Sequence, residues 1–201
     1  MGLTRTISDK IGYLGESKEL ALSYNNLSGT IRASLARCIS LQVLDLSRNG
    51  FLGVPPRELG SLSSLLMANI SNNSFSGSLP KEYGMLRLLE TLNLSGNFLT
   101  GSIPAKFGKL KSVILMLLRS KLLTSALPTS IGNLSNLAKF RAGKNALSGT
   151  IPAELNKCKS LEILGLAMSA MEGETPPKSG RMQNHTALVL KENQLSGPPK
   201  S

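Results

Sequence analysis

Tryptophan is absent, histidine occurs once, cysteine twice, and aromatic side chains make up only 4% of the 201 residues. A lone His185 with no Cys, Asp or Glu at ligand spacing does not make a metal site. Acids are scarce too: 12 Asp and Glu against 23 Lys and Arg leave a formal charge of +11. That surplus favours acidic partners. The cations form no consecutive run, which argues against a nuclear-localisation segment or a polybasic membrane anchor. With few aromatics to stack bases, nucleic-acid binding is not expected. Long hydrophobic runs are missing as well. The longest, Val113 to Leu118, falls far short of the ~20 residues of a membrane-spanning helix. The opening "MGLTRTISDKIG" lacks the apolar centre of a secretory signal. There is no glycine-rich phosphate loop, no nucleophile–base–acid set and no carboxylate pair in register, so neither catalysis nor a cofactor is expected.

Leucine, glycine, serine and asparagine are abundant, and they recur in a fixed order. "LALSYN" ends at Asn25, "LDLSRN" at Asn49, "ANISNN" at Asn73 and "LNLSGN" at Asn97. "FRAGKN" follows at Asn145 and "LVLKEN" at Asn193, so every asparagine is a multiple of 24 residues from the next. Lys121 and Ser169 occupy the two skipped frames. A Leu or Phe follows two residues after the asparagine and a Gly four after, with a hydrophobic–Pro pair at six and seven; Leu99, Gly101, Ile103 and Pro104 show the phase complete. A 24-residue period in this register is the signature of a leucine-rich repeat.

In each unit, L-x-L reads as a short strand with its leucines inward and the residues between them outward. The asparagine falls at the turn, where its amide can bond neighbouring backbone and form a ladder. The glycine permits the next bend, and the hydrophobic–Pro pair holds an extended segment. Leu35, Leu59, Phe107, Ile131 and Leu155 share one core phase, and Leu41, Leu65, Leu89, Val113, Leu137 and Leu161 another. No unit can bury these residues alone. Cys38 and Cys158 also share a phase, five periods apart. At ~4.8 Å per strand that is roughly 24 Å, too far for a disulfide, so both are expected as core thiols.

The chain is expected to be one solenoid over 1–201 of about eight units, with a degenerate first repeat at 1–19, regular repeats over 20–167 and degenerate repeats over 168–201. Ser17 stands at a core leucine phase, as do Thr175, Ser179 and His185, and "MSAMEGETPPKSGRMQNHT" from Met168 to Thr186 reads as a loosely packed turn.

"LSGNFLTGSIPAKFGKL" and "KNALSGTIPAELNKCKSLEILGLA" resemble the plant-specific class of these repeats, typical of receptor-like kinase and receptor-like protein ectodomains. The resemblance runs from about Leu20 to Lys200. It implies an α/β right-handed solenoid, with a concave parallel sheet and 3-10 turns on the convex side. It also implies extracellular recognition of peptide ligands, with a co-receptor at the C-terminal end. Such receptors carry a signal peptide, disulfide-bonded caps and, in the kinases, a membrane helix and kinase domain. None is visible here, so the chain reads as an excised block of repeats.

The outward residues on the first four strands are small and polar. Above them come Leu115, Leu117 and Arg119, then Lys139 and Arg141, with Lys121 and Lys144 close by. "KFRAGKN" therefore combines inward Phe140 and Ala142 with outward Lys139 and Arg141. Two cations at i and i+2 share one strand face, about 7 Å apart, and can clasp a carboxylate or sulfate. Leu115 and Leu117 beside them suit an apolar ligand side chain. In plant peptide-hormone receptors an R-x-R pair at these two positions holds the peptide's C-terminal carboxylate; Lys139-Phe140-Arg141 resembles it with Lys for the first Arg. Receptors for root meristem growth factors use R-A-G-G-N, matched here by Arg141 and Gly143 with Lys144 at the second Gly.

Three readings stay open. The first is a peptide-recognition module centred on Lys139, Arg141, Arg119, Leu115, Leu117 and Lys144. The second is a basic wall protein or hydrolase inhibitor resembling polygalacturonase inhibitors, holding acidic cell-wall polysaccharide or docking on a secreted hydrolase. The third is a structural fragment with no function of its own. Sequons at Asn26, Asn69, Asn72, Asn93, Asn133 and Asn184 are candidate glycosylation sites in a secreted protein.

Overall fold

A computed structural model of the protein describes residues 6–174 and 187–197. Each repeat contributes one strand to a first sheet: β1 Glu19–Ala21, β3 Val43–Asp45, β5 Met67–Asn69, β7 Thr91–Asn93, β9 Leu115–Leu117, β11 Lys139–Arg141, β13 Ile163–Gly165 and β15 Ala187–Val189. These eight pair in parallel in chain order with a register step of 24 residues, as in Leu20 beside Leu44 and Leu44 beside Ala68. Their middle residues turn inward: Leu44, Leu92, Met116, Phe140 and Leu164 are all fully buried.

A second parallel sheet lies across the core, and the repeat pattern does not announce it. It comprises β2 Ser28–Gly29, β4 Gly50–Gly53, β6 Ser74–Ser78, β8 Phe98–Gly101, β10 Leu122–Ser125, β12 Ala146–Gly149, β14 Ala170–Glu174 and β16 Gln194–Ser196. The expected bend at glycine is instead a left-handed residue inside or ending a strand: Gly53, Gly101, Gly149 and Gly173 have φ of 80°, 74°, 72° and 76°. Position 125 in that row carries Ser rather than Gly, and still adopts φ 70°.

On the convex side, 3-10 turns recur from Asp9–Tyr13 to Ala153–Lys157. All but the first bury their third residue, as with Leu35, Leu59, Phe107, Ile131 and Leu155; in the first, Ile11 is only half-buried. Tyr83 fills the same phase, is 2% exposed, and donates its hydroxyl to the Pro56 carbonyl at 3.3 Å. Burial holds that phenol protonated well above its ordinary range, with the Glu58 charge adding to the effect.

Asparagine is the hinge between the two sheets. Asn73 donates to the carbonyls of Leu46 and Ile70 at 3.0 and 3.1 Å, and accepts from the Phe51 amide at 3.1 Å. Asn49, Asn97, Asn145 and Asn193 repeat this pattern. Each satisfies backbone groups that a strand-to-strand turn would otherwise bury unpaired. At the skipped frame Lys121 is exposed, and Ser120 donates to the Asn97 carbonyl at 2.9 Å instead. The Ser169 hydroxyl, at the other skipped frame, is buried with no hydrogen-bond partner among the described residues.

Cys38 and Cys158 are buried free thiols. Their Sγ atoms donate to the carbonyls of Ile11 and Ile131, and burial raises both pKa values, that of Cys158 to about 11. Ser17, in the degenerate first unit, is half-buried and its amide bonds the Leu14 carbonyl. Of the stretch expected as a loose turn, residues 170–174 form β14 with Met171 fully buried. The alternation of Met171 and Gly173 carries the second sheet further than the weak repeat suggested. Thr175, Ser179 and His185 lie outside the described residues.

Candidate functional site

The concave sheet changes character halfway along its length. The residue three after each central strand position reads Ser23, Ser47, Ser71, Ser95, then Arg119, Gly143, Ala167 and Lys191. In the first half these serines serve local structure. Asp45 accepts from the Ser47 amide at 2.9 Å, Asn69 from the Ser71 amide and hydroxyl at 3.2 and 2.8 Å, and Asn93 from the Ser95 amide at 3.2 Å. That surface is polar and largely answered by itself.

Among the described residues the second half shows no such pairing. Arg141 stands in register with Leu117 on one side and Gly165 on the other. A methyl group on Gly165 would lie 3.3 Å from Arg141 Cγ, so the bare glycine is where the arginine stem rests. Gly143 is bare for a different reason: a methyl there would stand 2.4 Å from the Ala167 carbonyl oxygen. Between them opens a concavity of about 440 Å³. Its cations are Arg119, Arg141, Lys144 and Lys191, its floor Gly143, Gly165 and Ala167, and its apolar wall Ile163, Ala187, Val189 and Met168. No acidic residue lines it among the described residues. Among the described residues Arg119, Arg141 and Lys144 form no ion pair, whereas Lys191 reaches its neighbour Glu192 at 3.9 Å.

Arg119, Arg141 and Lys144 are therefore brought together. Lys139 is exposed at the start of β11 and does not line the concavity; nor do Leu115 and Leu117, half-buried on the adjacent strand. Lys191, Met168, Ile163, Ala167 and Val189 complete the site and were not singled out from sequence. The signal was present, because Arg119 and Lys191 share a phase with Gly143 and Ala167.

Asn26, Asn72 and Asn133 are exposed, whereas Asn69 and Asn93 are half-buried on the concave sheet with their side-chain oxygens engaged. Asn184 lies outside the described residues. Among the described residues no group of three or more His, Cys, Asp and Glu is placed to hold a metal ion. No helix there is long and apolar enough to cross a membrane.

The family pattern described as a leucine-rich repeat region matches residues 21–185. The chain belongs to the leucine-rich repeat family. No curated protein sequence matches it. Solved structures of plant receptor ectodomains superpose closely on this leucine-rich repeat chain. One is the ectodomain of the Arabidopsis thaliana receptor kinase GASSHO1/SCHENGEN3 in complex with CASPARIAN STRIP INTEGRITY FACTOR 2, 38% identical with a TM-score of 0.94. It aligns with 100% of this chain, which spans 24% of that ectodomain. The plant peptide hormone receptor RGFR1, in complex with RGF2, is 34% identical over 97% of this chain and 31% of its own, with a TM-score of 0.93. The Arabidopsis receptor kinase HAESA, in complex with the peptide hormone IDA and the co-receptor SERK1, is 32% identical over 96% and 37%, with a TM-score of 0.73. The chain thus corresponds to a block of repeats within these longer ectodomains.

Proposed function

We propose that this leucine-rich repeat chain is a recognition block of plant-receptor type, binding an acidic or carboxylate-ended peptide on its concave face. The observation that carries the reading is the concavity of about 440 Å³ with Arg119, Arg141, Lys144 and Lys191 on its rim and no acid among its lining residues. Cations crowded in a cleft focus a positive potential and attract a carboxylate more strongly than the same charges spread over a convex surface. The bare floor lets a peptide backbone approach closely. Lys139 extends the positive face along β11, and Leu115 and Leu117 on the adjacent strand add apolar surface beside it. RGFR1 is a plant peptide hormone receptor, and HAESA was solved with the peptide hormone IDA, which supports this reading over that of a mute structural fragment. The reading is of a binder rather than a catalyst, placed on the outer face of the cell, with a co-receptor as second partner.

The test is affinity selection from a peptide library with free C-termini, run on the wild type and on Lys139→Ala/Arg141→Ala. Enrichment that disappears in the variant supports the proposal. Equal enrichment in both removes it. Binding to polygalacturonate that collapses with salt, without any peptide preference, would assign the charge to acidic wall polysaccharide instead.

A further inference from the structure

Resting on the peptide-binding reading, we infer that the concavity is an end subsite for a doubly charged residue: a peptide that finishes in Asp or Glu with its α-carboxylate free. The argument starts from the row Arg119, Gly143, Ala167 and Lys191, which share one phase on four consecutive repeats. Three strand spacings separate its ends, about 14 Å. Cations stand at both ends and the two middle positions carry no more than a methyl group. Arg141 leans in over Gly165, and Lys144 flanks Gly143 on the other side. Four positive charges therefore converge from opposite sides on one bare patch.

A lone carboxylate answers one or two of these cations and leaves the others facing each other. A terminal Asp or Glu offers two carboxylates separated by a few bonds, so that different cations of this set can answer each. The contact between Lys191 and Glu192, at 3.9 Å, does not compete strongly. Both side chains are largely exposed, and such pairs contribute little. Ile163, Val189 and Met168 line the wall and take the penultimate side chain, which the subsite prefers apolar.

The experiment uses the whole chain, immobilised, and peptide pools of random sequence in four end chemistries: Asp/Glu free acids, Asn/Gln free acids, and the carboxamides of each. Asp/Glu free acids are expected to be retained about tenfold better than Asn/Gln free acids. Two variants locate the effect. Lys144→Asn/Lys191→Ala removes two of the four cations. Asn tolerates the left-handed backbone of position 144, where φ is 55°. This variant is expected to erase the tenfold preference, with Asp/Glu and Asn/Gln free acids then retained alike. Ala167→Leu fills the floor without removing a charge and is expected to bring Asp/Glu acids down to the carboxamide level. If Ala167→Leu fails to fold by circular dichroism, the double variant carries the test alone. Equal retention of Asp/Glu and Asn/Gln acids overturns this inference and leaves the carboxylate reading intact. Equal retention of acids and carboxamides overturns the carboxylate reading itself.

Discussion

Truncating Asn97 to alanine tests the physical core of the fold. Asn97 is 3% exposed; its Nδ2 donates to the carbonyls of Ile70 and Leu94 at 3.1 and 3.0 Å, and its Oδ1 accepts from the Phe75 amide at 3.1 Å. Alanine removes these bonds, and a longer one to the Ser95 carbonyl at 3.4 Å, and leaves one N–H and three carbonyls without their side-chain partner. A buried unsatisfied group costs ~1–3 kcal/mol, and water entering the vacated space relieves part of that, so the expected loss is about 3 kcal/mol. With a urea dependence of ~2 kcal/mol/M, the midpoint should fall by about 1.5 M. Asn69→Ala is the control: Asn69 is half-buried on the concave face and bonds only Ser71, so its loss should stay below ~1 kcal/mol. Equal midpoints for the two variants would refute the ladder argument. The gap at Lys121 supplies the converse. Tyr24, Arg48, Asn72, Lys144 and other residues that precede the ladder position have positive φ, and Ser120 does not. Lys121→Asn alone should therefore recover almost nothing, whereas Ser120→Gly/Lys121→Asn should recover about 1 kcal/mol.

Three further outcomes follow from single positions. Ser125 holds φ 70° in a row where other repeats place glycine, so Ser125→Gly should stabilise by about 0.5 kcal/mol, read as a small rise in Tm, the relieved strain outweighing glycine's greater unfolded-state entropy. Gly108→Ala should destabilise by ~1–3 kcal/mol, because its new methyl would stand 2.4 Å from the Ser130 carbonyl oxygen in the next 3-10 turn. Cys158 keeps its proton in the fold up to a pH of about 11, while in the unfolded chain it ionises near 9. The folded state then binds more protons than the unfolded one across that window, so stability falls as pH rises from about 9 to 11. Cys158→Ala should lessen that slope in denaturation series run at stepped pH.

Much of the architecture was legible in the sequence because a stacked repeat exposes its core as a phase. Leu41, Leu65 and Leu89 recur at fixed spacing because each fills the same slot in the same unit, and the slot moves by one strand. The asparagine ladder was legible for the same reason. The second sheet was not: β2 is only Ser28–Gly29 and the other strands of that sheet run to five residues at most, too short to stand out from a turn without the pairing between neighbours. The concave charge was half legible. Lys139 and Arg141 stood out as neighbours in sequence, but the concavity collects residues 24 and 72 apart, such as Arg119 and Lys191. Which of the outward cations share a cleft depends on the bare positions, Gly143, Gly165 and Ala167, that let long side chains converge. An absence of side chain carries little weight in a reading that looks for chemistry.

The most direct measurement is the affinity of one enriched peptide in two forms, free acid and carboxamide, for the wild type and for Arg141→Ala. The carboxylate account predicts that the amide binds about tenfold more weakly to the wild type, and that the two forms bind alike once Arg141 is removed. Tight binding of the wild type to both forms with equal affinity would contradict it.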